Sequence, residues 1–213
     1  PLAESWPKLL ADELGYECVN LGKQGYGNRY IINSIVDHFS FNPDDRQNCL
    51  VVIAFSWYGR NEFLNVSHEK VIVNYTNPSS RSDKNYIEDF YLNRFDSLHY
   101  YKEYLRNIIF LQQYLKSNNI SYLFANALDQ TNYLISDGKT KLDYKFQHWQ
   151  DLHVIKLTNA IDLQVFWRFE ENFSLYLGPN SRLPDGHPNQ QGHAEIKNFL
   201  HNFIVNNRGV FNV

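Results

Sequence analysis

Leu50-Val51-Val52-Ile53-Ala54-Phe55 is the stretch on which the fold turns. An uninterrupted apolar run of this length lacks the alternation of a half-exposed strand and is too short for a buried helix. It reads as a strand covered on both faces, the kind found in parallel sheets. Upstream, the polar connection Phe41 to Asn48, with Pro43, separates it from a segment carrying Ile31, Ile32, Ile35, Val36 and Phe39 at helical spacing. Before that helix stand a glycine-rich turn, Gly22-Lys23-Gln24-Gly25-Tyr26-Gly27-Asn28, and a short apolar stretch with strand character, Tyr16 to Leu21. Further back, Ser5-Trp6-Pro7 is a helix start signal, Trp6, Leu9, Leu10 and Leu14 share a face, and Gly15 is a stop. The order is helix, strand, helix, strand.

Downstream, Glu62 to Lys84 is irregular, rich in Asn and Ser with Pro78, and reads as a long surface excursion with Val71 to Val73 as a candidate short strand. A helical pattern runs from Tyr86 to Ser117, with a bend expected near Asp96. Leu98, Tyr101, Leu105, Ile108, Ile109 and Leu115 fall near one of its faces. Ile120 to Ala125 is a third strand. The region from Asn126 to Ser181 is mixed and dense in aromatics, and Ile196, Phe199, Leu200, Phe203 and Ile204 mark a final amphipathic helix capped near Asn189. Strands alternating with helices predict a single α/β domain over residues 1–213, a three-layer sandwich with a parallel sheet flanked by helices. In such sheets the working residues gather in loops beyond the carboxyl ends of the strands.

With 213 residues, 43% of them apolar, the chain can bury one sizeable core. Lys and Arg total 20 against 23 Asp and Glu, so the basic excess of a general nucleic-acid binder is absent. No apolar stretch approaches the ~20 residues of a membrane-spanning helix. Cys18 and Cys49 lie in apolar stretches and read as buried free thiols. His38, His68, His99, His148, His153 and His201 are scattered without metal-ligand spacing, so neither a metal nor a cofactor is expected. Glycosylation sequons stand at Asn65, Asn74, Asn119 and Asn172.

Three segments can carry chemistry. In Leu183-Pro184-Asp185-Gly186-His187-Pro188-Asn189, an Asp and a His stand two residues apart in a loop stiffened by prolines. The carboxylate can fix the imidazole tautomer and favour the imidazolium that forms when the other nitrogen takes a proton. The plainer alternative is a capping loop with a solvated histidine. In Val19 to Asn28 a strand end runs through glycines into a helix, exposing backbone N–H groups suited to a phosphate or to the oxyanion of acyl transfer. The plainer alternative is a tight turn with Asn28 as helix cap. Its glycine spacing is not that of a dinucleotide fingerprint. Ser56-Trp57-Tyr58-Gly59-Arg60 follows the apolar strand. There Ser56 could point into a cleft, Trp57 and Tyr58 could stack on a sugar ring, and Arg60 could hold an anionic or polyhydroxylated group. Each also has an ordinary packing role.

Taken together, Ser5-Trp-Pro-Lys-Leu-Leu-Ala-Asp-Glu-Leu-Gly15, Val19-Asn-Leu-Gly-x-x-Gly25-x-Gly-Asn28, the strand ending at Ser56, and Asp185-Gly-His-Pro-Asn-x-x-Gly-His193 resemble the SGNH (GDSL-like) hydrolase family. The similarity spans most of the chain, with Glu62 to Ser181 covered by element order alone. The resemblance implies a flavodoxin-like fold and a serine esterase or acyl-hydrolase mechanism without a cofactor, acting on a small ester or an acylated glycan. It makes His187 the general base, Asp185 its carboxylate partner and Gly25 a backbone donor to the oxyanion. Ser56 stands near the place of the family's oxyanion-hole Asn, with Asn61 further on. Tyr26, Asn28, Trp57 and Arg60 are the expected substrate contacts. No nucleic acid and no membrane are expected as partners.

The chain also departs from the family. Its Asp normally stands three residues before the His, where this sequence has Pro184. Its nucleophile lies in a Gly-Asp-Ser-like block on a strand that precedes the helix beginning here at Ser5. That strand and its serine are therefore expected upstream of Pro1, in a sequence that contains no Met. The rival reading is a catalytically inactive domain of the same fold serving as a structural or glycan-binding module. A third, a nucleotide binder at Gly22 to Asn28, requires a phosphate at that helix start.

Overall fold

Three parallel strands form the central sheet of the computed structural model, which describes residues 5–23, 25–64, 70–73, 96–128, 150–184 and 186–211. Strand β1 is the Leu50–Phe55 run. The antiparallel hairpin β2 (Asn61–Leu64) and β3 (Lys70–Val73) follows it, and β4 (Ser121–Asn126) and β5 (Phe166–Trp167) complete the set. The sheet order is β1-β4-β5, with Leu50 opposite Ser121, Phe55 opposite Asn126, and Phe124 opposite Phe166. The helices are α1 (Trp6–Leu14), α2 (Asn28–Phe41), α3 (Ser97–Ser117), α4 (Leu152–Asn159) and α5 (Gln190–Asn206). Helices α1 and α5 pack on each other, while α2 packs on α3 and α3 on α4. This is the α/β architecture expected from the sequence, a parallel sheet flanked by helices.

The periodicities place the core. In α3 Leu105, Ile108, Leu111 and Leu115 recur every three or four residues and are buried, as are Ile196, Leu200 and Ile204 in α5. They close on Phe55 and Phe124, whose rings meet edge to face at 5.3 Å. Tyr104 adds a second edge-to-face contact with Phe55, at 5.8 Å. Such pairs contribute about 0.5–1.5 kcal/mol each beyond area burial.

Local chemistry sets the helix ends. The Asp96 carboxylate accepts the His99 N–H at 3.1 Å and starts α3 at Ser97. The part of the expected helix before it lies outside the described residues, as does most of the excursion after Glu62. Asn189 caps α5 as expected, its side-chain oxygen accepting the Gly192 N–H at 3.0 Å. Asp151 caps α4 and also takes the Lys102 ammonium at 2.9 Å, tying α4 to α3. The lysine holds that carboxyl below its ordinary pKa.

Two expectations are corrected. The strand covered on both faces is β4, buried from Tyr122 to Asn126, whereas Leu50 to Val52 and Ala54 of β1 are half-buried. Among the described strands β4 has neighbours on both sides and β1 only one. Tyr16 to Leu21 joins no ladder among the described residues, and Val19 is 59% exposed. Cys18 and Cys49 are free, half-buried thiols, and burial pushes both pKa values up. No described helix is long and apolar enough to cross a membrane.

Candidate functional site

The glycine-rich turn and the carboxyl end of β1 are joined through one side chain. The Asn28 Nδ2 donates to the Ser56 carbonyl at 2.8 Å, and the Ser56 N–H donates to Asn28 Oδ1 at 2.7 Å. The amide thus engages Ser56 as a neighbouring strand's peptide group would. Both residues are only 6% exposed. One residue earlier, Gly27 lies against Arg60 so closely that a Cβ there would fall 2.3 Å from the Arg60 carbonyl oxygen. The Arg60 N–H in turn donates to the Trp57 carbonyl at 3.0 Å, closing the turn after β1. Gly25 sits at φ 82, a left-handed conformation that glycine adopts without strain.

This geometry sorts the expected roles. Both amide atoms of Asn28 bond to Ser56, so the side chain braces the loop instead of reaching toward a substrate. The Ser56 N–H is taken as well, and Ser56, expected near the oxyanion hole, is buried. Trp57 and Tyr58 are core residues, and the Tyr58 hydroxyl shares a 2.7 Å hydrogen bond with Ser97. Arg60 is half-buried. Tyr26 is half-buried too, its ring 4.2 Å from that of Tyr30 and with the Lys23 ammonium 4.7 Å above it. A hydrogen bond to Tyr26 raises the Lys23 pKa.

His187 is exposed where a separate tight turn closes. The Leu183 N–H donates to the His187 carbonyl at 2.7 Å, the Gly186 N–H donates to the Leu183 carbonyl at 2.9 Å, and Arg182 bridges Pro188. Gly186 has φ 86, which permits so sharp a reversal. Asp185 lies outside the described residues. The base of the turn is strapped to α5: the Asn189 N–H donates to the Ser181 carbonyl at 3.0 Å, and the Ser181 hydroxyl donates to Glu195 at 2.6 Å. That bond and one from Gln191 hold the Glu195 carboxyl below its usual pKa. The start of α5 is tied to the start of α1, where the Trp6 N–H donates to His193 Nδ1 at 3.4 Å. Burial lowers the His193 pKa. The first and last of the four sequence blocks therefore meet, and so do the two middle ones.

No family model, characterised protein or solved structure matches this chain. The family likeness rests on the four motifs alone.

Some structurally decisive residues escaped the sequence. Asn126, at the carboxyl end of β4, accepts the Tyr104 hydroxyl at 2.6 Å and donates to the Phe169 carbonyl at 2.7 Å. It fastens the loop after β5, where Arg168 takes φ 46 and pairs with Glu171 at 2.9 Å. A polar residue closing an otherwise apolar strand was the available signal. A cleft of about 370 Å³ beside β5, with Thr158, Leu163, Arg168 and Glu170 in its wall, includes none of the expected site residues. The Asn172 sequon is 2% exposed, so the folded chain does not present it for glycosylation, whereas Asn119 stands in an exposed turn. Among the described residues no three His, Cys, Asp or Glu side chains are grouped as for a metal ion.

Proposed function

We propose that the chain is an ester hydrolase domain of the SGNH type, cleaving small esters or the acyl groups of glycans. The observation that carries this reading is the Asn28 and Ser56 joint, which holds the glycine-rich turn against the carboxyl end of a parallel strand, where α/β sheets do their chemistry. His187 is exposed on a turn braced by α5, as a proton acceptor for substrate chemistry needs to be. In this mechanism His187 takes the proton of a serine hydroxyl, expected upstream of Pro1, as that oxygen attacks the ester carbonyl. Asp185 orients the imidazole and stabilises its cationic form. The Gly25 N–H receives the negative oxygen of the tetrahedral intermediate. His187 then returns the proton to the leaving alcohol, and water repeats the sequence to free the acid.

The deciding measurement is hydrolysis of small acetyl esters and acetylated oligosaccharides by the chain extended to include the sequence before Pro1. Turnover that falls by about 10²–10⁴-fold in His187→Ala, with melting unchanged, supports the reading. An inert extended chain, or a His187→Ala variant as fast as its parent, removes it. One observation favours the inactive alternative. Ser56, the serine that follows β1, is buried and held by Asn28, so it is closed to a substrate. A glycan-binding module would retain acetylated oligosaccharides without cleaving them.

A further inference from the structure

We infer that the cleft beside β5 is a binding site for a small organic ammonium ion, an amine with a short apolar body. The site includes none of the residues of the esterase reading and stands without it. Its volume, about 370 Å³, falls within the ~300–1,000 Å³ of ligand sites, at the small end. Arg168 to Glu171, which leave the carboxyl end of β5, form part of its wall, and parallel sheets hold their ligands beyond that end of their strands.

The lining fixes the ligand class. Leu163, Phe166 and Phe169 are its apolar part, and Leu163 is 52% exposed, so an alkyl chain laid over it removes apolar surface from water. The charges come from Arg168, Glu170 and Glu171. Arg168 is matched by Glu171, its guanidinium 2.9 Å from that carboxylate, and lies 4.8 Å over the Tyr176 ring. Glu170 is exposed and has no ion-pair partner among the described residues, which leaves one unmatched negative charge in the wall. The Thr158 hydroxyl is buried and meets no hydrogen-bond partner among the described residues. Buried hydroxyls without partners are uncommon, and a helical Thr has two rotamers through which to turn toward an incoming N–H. An amine answers these features together: its charge meets Glu170, its N–H groups offer donors to Thr158, and its chain covers Leu163.

The wall is fixed before a ligand arrives. The Asn126 Nδ2 donates to the Phe169 carbonyl at 2.7 Å, and the Glu171 N–H donates to the Arg168 carbonyl at 2.8 Å. Between them Arg168 is held at φ 46, a left-handed conformation unfavourable to any residue with a Cβ. Strain persists where surrounding bonds enforce it, and a wall that is already ordered loses less entropy on binding.

The test titrates the chain with n-hexylammonium, 1-hexanol and hexanoate, followed by calorimetry and by amide NMR shifts. The expected result is saturable binding of n-hexylammonium with a Kd on the order of 1 mM, and shifts centred on Thr158 and Arg168 to Glu171. 1-Hexanol binds about fivefold more weakly, since it lacks the charge, and hexanoate more weakly still. Glu170→Gln weakens n-hexylammonium by about fivefold and leaves 1-hexanol unchanged. Thr158→Val removes the unpartnered hydroxyl at nearly constant volume, so it melts no lower than the parent and yet weakens n-hexylammonium by about threefold. A Thr158 of purely structural use would shift melting alone. Lysine capped at both ends is titrated alongside: tighter binding than n-hexylammonium identifies a protein side chain as the source of the amine, weaker binding a free amine, and both support the site. Absence of saturable n-hexylammonium binding overturns the inference, as does 1-hexanol binding equally well, or either variant binding n-hexylammonium within about 1.5-fold of the parent.

Discussion

Replacing Gly192 by alanine tests whether the start of α5 braces the His187 turn. Gly192 is the third residue of α5, and a Cβ built there falls 2.2 Å from the Ser181 carbonyl oxygen and 3.0 Å from the Pro188 Cβ. The closer contact is about 1 Å tighter than two such atoms tolerate. Intrinsic helix propensity favours alanine over glycine by up to about 1 kcal/mol. Against this stands overpacking, typically about 1–3 kcal/mol, and the neighbour in the way is backbone that cannot swing aside like a flexible side chain. The Ser181 carbonyl also accepts the Asn189 N–H at 3.0 Å, so pushing it away weakens a bond worth about 1 kcal/mol. The net expectation is a loss of about 1–3 kcal/mol. In a chain of this size each kcal/mol lowers the melting temperature by about 2–4 °C, so the variant melts about 2–12 °C below the parent. Gly209→Ala is the control, since nothing lies within 4 Å of a Cβ there, and its stability stays within about 0.5 kcal/mol of the parent. Amide exchange adds the local readout: the Leu183 and Gly186 N–H groups, bonded inside the turn, exchange faster in Gly192→Ala. A variant that melts at or above the parent temperature, with exchange unchanged, refutes the bracing.

Two further perturbations follow from other contacts. Burial lowers the His193 pKa in the folded chain, so the unfolded chain binds the proton more readily; stability is full above the unfolded value of about 6.5 and is lost as pH falls toward the lower folded value. The proton would also meet the N-terminus of α1, where Trp6 donates to His193 Nδ1. Melting at pH 7.5 and 5.5 checks this: His193→Gln loses less stability between the two than the parent does, and equal losses refute it. Tyr104→Phe removes the hydroxyl bonded to Asn126 and leaves a buried carbonyl oxygen unpaired, for a loss of about 1–3 kcal/mol in urea unfolding. A smaller effect would mean that Asn126 finds another donor, and exchange in the loop after β5 would then stay unchanged.

The elements legible in the sequence were those set by near neighbours. The α5 cap at Asn189, the start of α1 at Ser5-Trp6-Pro7, the spacing of Leu105 to Leu115 and the apolar run of β1 all depend on residues a few positions apart. The two middle blocks of the candidate site were legible as motifs, because glycines before a helix and a serine after a strand have local meanings. Their relation was not legible. Asn28 reads as a helix cap or a substrate contact until Ser56, 28 residues away, is found to occupy both ends of its amide.

By itself the sequence determined the segments of α1, α2, α5, β1 and β4, which helix faces are apolar, and the presence of a His-bearing turn before the last helix. These follow from backbone sterics and hydrophobic periodicity, which act over one or two turns of chain. The tertiary structure alone decided that β4 is the doubly covered strand, although β1 has the more continuous apolar run, because burial depends on how many neighbours a strand acquires. It alone decided that Trp57 packs into the core and that Trp6 meets His193 across 187 residues. Hydrogen bonds and packing between distant segments are formed by the fold as a whole, and no local pattern encodes which groups will be left facing each other.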